Sequence, residues 1–119
     1  MIKGLSGATI WSEDVNNLLP FYRDTLGLKV RMQTPDFVVL GDGDGSSLGL
    51  GTHSEVRGKA SDPFRHMVGL DADDLDAEYQ RLQAAGVEFI ERPTQYDGLR
   101  IATLRDPEGN VVQLLQPGS

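Results

Sequence analysis

Residues 105–115 read RDPEGNVVQLL, a turn followed by a strand. Asp106-Pro107 ahead of Gly109 is strong turn punctuation, because proline fixes its own φ and glycine takes backbone angles closed to other residues. Val111, Val112, Leu114 and Leu115 around the single polar Gln113 then predict a buried β-strand, so the segment is one side of a hairpin. The chain says this twice. With a shift of 64 positions, Leu40, Asp42, Asp44, Gly45, Leu48, Gly49 and Leu50 fall on Leu104, Asp106, Glu108, Gly109, Val112, Gln113 and Leu114. Upstream a shift of 59 brings Gly7, Asp14, Gly27, Leu28 and Val30 onto His66, Asp73, Gly86, Val87 and Phe89. The two shifts differ by a five-residue insertion between otherwise collinear halves. A repeated unit of this size does not bury its apolar face alone and packs against a copy of itself.

The local signals give the same order in both halves. Residues 4–11 read as a first strand with Gly7, Thr9 and Trp11 on one face and Ala8 and Ile10 on the other. Neither face is clearly polar, so both are expected to be covered. Ser12, Glu13 and Asp14 supply helix-start chemistry, and Val15, Leu18, Leu19, Tyr22 and Leu26 recur at helical spacing before Gly27 ends the run. Pro20 costs about 3 kcal/mol inside a helix, so a late start or a kink is expected there. Strands follow at 28–33, 37–40 and, after the GDGDG turn, 46–52. The polar stretch HSEVRGKASDPF (53–64) is the linker. The second half repeats the pattern with a strand at 65–70, a helix capped by Asp73 or Asp74 and ending at Gly86, and strands at 87–91, 99–104 and 110–116. The expected organisation is one α+β domain, with module one at about 4–52 and module two at about 65–117.

Composition narrows the function classes. A chain of 119 residues is long enough to bury a core without staples, and with no cysteine it has no disulfide, thiolate metal site or cysteine nucleophile. Net charge is −7 and the eleven Lys and Arg are scattered, which weighs against nucleic acid or an anionic membrane as partner. No apolar run approaches the roughly 18 residues of a membrane span, so a soluble cytoplasmic protein is expected. GDGDGSS lacks the glycine spacing of a phosphate loop, and His53 stands where a calcium loop starting at Asp42 needs glutamate, so it reads as a hairpin turn. GLSGA does not match the G-x-S-x-G of hydrolases.

The runs DVNNLLPFYRDTLGL and DPEGNVVQLLQP, with the paired βαβββ order, resemble the vicinal oxygen chelate superfamily of glyoxalase I, bleomycin-resistance proteins and extradiol dioxygenases. The resemblance implies tandem modules whose curved mixed sheet surrounds a cup. It also implies a homodimer in which module one of one chain completes a site with module two of the other. Enzymatic members hold a divalent metal at four strand positions, which carry over to Gly7, Gly49, His66 and Gln113. A catalytic metal needs about three imidazole or carboxylate ligands. Glycine has no side chain, so one imidazole and one weak amide remain, and neither metal nor cofactor is expected. The first-strand arginine with which glyoxalase I contacts glutathione is replaced by Trp11.

The expected ligand site consists of Trp11 and Phe37 stacking on a planar molecule, Tyr96 and Arg100 bordering the entrance, and His66 and Gln113 fixing orientation. His53 is expected to be solvent-exposed. The reading is a metal-free small-molecule-binding protein of the glyoxalase/bleomycin-resistance type, its ligand an antibiotic or a hydrophobic metabolite. The alternative is an enzyme of the same fold, a lyase, isomerase or dioxygenase, with His66 as acid or base. A structural dimer module with a filled cup is the second alternative.

Overall fold

Each copy of the duplicated segment builds a four-stranded sheet, seen in a computed structural model that describes every residue except 2, 4, 43, 44 and 119. The chain divides into two compact units, Met1–Gly58 and Lys59–Ser119. In the first, β1 (Gly7–Ser12), β2 (Val30–Gln33), β3 (Phe37–Leu40) and β4 (Ser47–Thr52) take the order β1-β4-β3-β2. In the second, β5 (Val68–Asp71), β6 (Phe89–Tyr96), β7 (Leu99–Arg105) and β8 (Val111–Pro117) take the order β5-β8-β7-β6, with helix α1 (Leu75–Ala84) after β5. The first and last strands of each unit pair in parallel and the other neighbours are antiparallel, so both units are βαβββ.

Strand register tests the duplication residue by residue. Val39 pairs with Gly49, and Thr103 with Gln113, so both partners move by the same 64 positions from one unit to the other. The one-residue irregularity between Val30 and Met32 recurs between Phe89 and Glu91. The entry strands obey a different shift from the one read in the sequence. Thr9 pairs with Gly49 while Gly69 pairs with Gln113, so β1 maps onto β5 by 60 positions (9 to 69), not 59. The helix starts agree: Asp14 and Asp74 are the caps, and the next backbone N–H groups, of Val15 and Leu75, donate to Thr52 Oγ1 and Gln116 Oε1 at 2.9 and 2.7 Å.

The lost residue lies in the helix. Pro20 divides the first helical segment into a single tight turn, Val15–Asn17, and a widened turn, Phe21–Thr25. Leu26 N–H donates to the carbonyl of Phe21, five residues back, where an α-helix reaches back four. Past the anchor Tyr22 the chain needs six residues to reach Leu28, bonded to the Tyr22 carbonyl, whereas Leu82 reaches Val87 in five. The shift therefore drops from 60 to 59 across this one turn.

Each helical segment covers one face of its own sheet. In the first unit the core is Val15, Leu18, Leu19 and Tyr22 with Val38, Leu40, Leu48 and Leu50; in the second it is Leu75 and Leu82 with Ala102, Leu104, Val112 and Leu114. Burying each of these leucine and valine side chains is worth about 1.5–3 kcal/mol. Two expectations need correction. Of β1 only Ser12 is fully buried, while Ala8, Thr9 and Trp11 are exposed, so that strand is not covered on both faces. The strand expected at 65–70 spans Val68–Asp71, leaving His66 in the irregular segment before it. Position 4 and two residues of the GDGDG turn, 43 and 44, lie outside the described residues, although β3 and β4 flanking that turn do pair antiparallel.

Candidate functional site

In β4, SLGLGT, the two leucines face the helical segments, so alternation turns Ser47, Gly49 and Gly51 to the opposite face. Register places Trp11 and Phe37 on either side of Gly51, and Thr9 and Val39 on either side of Gly49. With no side chain at Gly51, the two flanking rings close over the strand, their centroids 5.7 Å apart and their planes tilted by 38°. A Cβ at Gly51 would stand 2.7 Å from Trp11 Cε3 and 2.8 Å from Phe37 Cδ1. One at Gly49 would stand 2.8 Å from Phe37 Cζ and 2.9 Å from Thr9 Oγ1. The glycines are thus the floor on which an aromatic pair lies, and Trp11 keeps 45% of its surface exposed. Met32, paired with Val39, extends this apolar face toward β2.

His53 closes the Trp11 end. Its backbone N–H donates to the carbonyl of Ser12 at 2.9 Å, continuing the β1–β4 ladder by one residue, and its ring meets Trp11 edge-on with centroids 5.5 Å apart. It is half-buried, which corrects the expected solvent exposure. The signal was available, since the alternation 47, 49, 51 continues to 53.

In the second unit Gln113 lies between Gly69 and Thr103 on the face opposite α1. Glu91 pairs with Thr103, and Tyr96 with Leu99, so both side chains emerge on that same face. The Tyr96 hydroxyl donates to Glu91 Oε2 at 2.6 Å, and this bond to a carboxylate pushes the phenol pKa up. Arg100 projects the other way. Its guanidinium donates to both carboxylate oxygens of Asp76 on α1, at 2.8 and 3.1 Å, which holds the Asp76 carboxyl below its ordinary range. The structure therefore brings Trp11 and Phe37 together and sets Tyr96 on one face with Gln113. Arg100 is tied to the helix side, away from Gln113, and this corrects its assignment to the rim they share.

His66 is exposed and precedes β5, and the 60-residue shift of the entry strands carries Gly7 to position 67, not 66. His66 lies in the irregular segment before β5, outside the β5–β8 pairing that places Gln113. Gly7 and Gly49 offer no donor, and a Cβ at Gly7 would stand 2.9 Å from Ser47 Oγ and press on the Ser47 carbonyl. Among the described residues no three His, Asp or Glu side chains gather as a metal site would require. This donor set does not fit a catalytic divalent ion. Among the described residues, too, no helix is long and apolar enough to cross a membrane.

Comparison with known proteins adds three kinds of finding. The family described as Glyoxalase/Bleomycin resistance protein/Dioxygenase superfamily matches residues 4–114. A Bacillus subtilis (strain 168) protein, the uncharacterised YurT, is 29% identical over 91% of this chain and 94% of its own length. TnmS3, described as an antibiotic binding protein from Streptomyces sp. CB03234, is 27% identical, with a TM-score of 0.78 over 98% of both chains. A superfamily member from Sphaerobacter thermophilus DSM 20745 is also 27% identical, with a TM-score of 0.75 over 97% of this chain and 98% of its own.

Proposed function

We propose, since this chain belongs to the Glyoxalase/Bleomycin resistance protein/Dioxygenase superfamily, that it is a cytoplasmic, metal-free member that binds a planar hydrophobic small molecule without transforming it. The observation that carries this reading is the Trp11–Phe37 pair lying over Gly49 and Gly51. Where an enzyme of the fold needs a metal donor, this chain has a bare backbone covered by aromatic rings. An exposed indole on a rigid strand presents a large apolar area at small entropic cost, suited to stacking on an aromatic ligand. The likeness to TnmS3 points the same way, toward antibiotics or aromatic metabolites as the ligand class.

Trp11 is the chain's single tryptophan, so its emission reports on this face alone. Titrating a panel of aromatic antibiotics and metabolites is expected to shift or quench that emission. Trp11→Ala is then expected to weaken the best binder by about tenfold in calorimetry, from a stacking contribution of about 0.5–1.5 kcal/mol plus lost area. A binder that leaves the emission untouched and ignores the substitution overturns the assignment.

The same reading includes a homodimer, the arrangement implied by the family resemblance. Met32, Phe64, Met67 and Ile90 stay exposed on the single chain and are the kind of side chains that a partner copy would cover. Light scattering at micromolar concentration is expected to give twice the 13.0 kDa chain mass. A monomer mass at that concentration sinks the dimer.

A further inference from the structure

We infer that His53 is the polar arm of the aromatic site, donating from Nε2 to a hydrogen-bond acceptor on the edge of a planar ring held against Trp11. The inference rests on the proposed binding role of that face and specifies its ligand as a neutral aromatic bearing a carbonyl oxygen. The Glu55 backbone N–H donates to His53 Nδ1 at 3.1 Å. Nδ1 is thereby the acceptor nitrogen, and the neutral imidazole carries its proton on Nε2. Two backbone bonds, from His53 N–H to the Ser12 carbonyl and from Val56 N–H to the His53 carbonyl, hold the residue at the end of β4. The imidazole and indole planes stand at 74° with centroids 5.5 Å apart, so the imidazole lies next to whatever covers the exposed part of Trp11.

Among the described residues that register places beside Trp11 on this face, none supplies the same chemistry; the Arg31 side chain, at the irregularity of β2, lies by Gly41. Among the described residues, register and alternation give the face Thr9, Trp11, Met32, Phe37, Val39, Ser47 and the glycines Gly7, Gly49 and Gly51, of which only the indole itself has a nitrogen donor. Thr9 and Ser47 sit toward the opposite end of the strands, at and beyond Gly49. A donor beside an aromatic platform selects ligands by the acceptor at their rim. It discriminates well because a buried, unpaired N–H is costly when that acceptor is missing. The chain's net charge of −7 disfavours anionic ligands, which leaves the neutral carbonyl as the acceptor of choice.

The test compares two neutral probes of one shape, menadione, a methylnaphthoquinone, and methylnaphthalene, which lacks its carbonyl oxygens. The chain has no cysteine for the quinone to alkylate. Both are titrated against the full chain by calorimetry and tryptophan emission, in wild type, His53→Phe, His53→Gln and Trp11→Ala. His53→Phe keeps an aromatic edge but loses the N–H, whereas the glutamine amide reaches about where Nε2 stands. The ratio of menadione to methylnaphthalene affinity is expected to fall about three- to tenfold in His53→Phe and to be largely kept in His53→Gln. A ratio unchanged in His53→Phe, with both probes still dependent on Trp11, overturns the role of His53 alone. Absence of any Trp11-dependent binding of either probe overturns the aromatic site, and the inference falls with it.

Discussion

Tyr22→Ala is expected to lower the unfolding free energy by about 3–5 kcal/mol, the range for truncating a fully buried aromatic side chain. Tyr22 has no exposed surface, and its ring packs edge-on against Phe21 with centroids 5.2 Å apart. It is also where the duplication stops being regular, since its carbonyl accepts from Leu28 N–H across the widened turn. Removing the ring leaves a cavity under the helical segment, and one made irregular by Pro20 has few spare backbone bonds with which to collapse onto it. Small domains have about 5–15 kcal/mol in total, so the substitution removes a large share of the stability. Urea unfolding followed by far-ultraviolet circular dichroism measures it, and Leu82→Ala at the equivalent position of the second unit is expected to cost about 2–5 kcal/mol. A loss below about 1 kcal/mol at Tyr22 contradicts this account of the first core.

The succession of elements along the chain, the hairpins and the helix-start residues are legible in the sequence because each rests on local chemistry. Asp106 accepts from the backbone N–H groups of Glu108 and Asn110 and from the Asn110 amide, which is the DPEGN turn written in side-chain bonds. The shift of 64 was also legible, since β3 and β4 repeat without insertion as β7 and β8. A wide helical turn, by contrast, has no reliable composition. It hides one residue, so a shift of 59, which aligns Gly7 with His66, holds after the turn while the entry strands follow 60. For a strand, one residue is the difference between its two faces. Arg100 escaped for a related reason. Its face follows from the Thr103–Gln113 pairing, which depends on the length of the turn between β7 and β8. The face of Trp11 follows from alternation within β1 alone, whereas its meeting with Phe37 needs the register of both strands against Gly51.

Gly49→His, which puts an imidazole at a position to which the family resemblance carries a metal ligand, is expected to destabilise the protein by about 1–3 kcal/mol without creating a metal site. The cost follows from space. A Cβ there would lie 2.8 Å from Phe37 Cζ and 2.9 Å from Thr9 Oγ1, so the Phe37 ring must leave the floor it rests on. Overpacking a close-fitted site typically costs this amount. As Phe37 moves it loses its contact with Trp11, so the variant should also show altered tryptophan emission and weaker binding of the best aromatic ligand. The metal result follows from donor chemistry. The new imidazole would have Gly7 and the Gln113 amide at the other family positions, while His66 lies outside its strand. A zinc or iron site draws its binding free energy from about three deprotonated ligands held together. Thermal unfolding and elemental analysis of the purified variant test both halves. If it binds about one transition metal per chain with no loss of stability, the face was poised for a metal, the aromatic floor is incidental, and an enzyme reading replaces the one proposed.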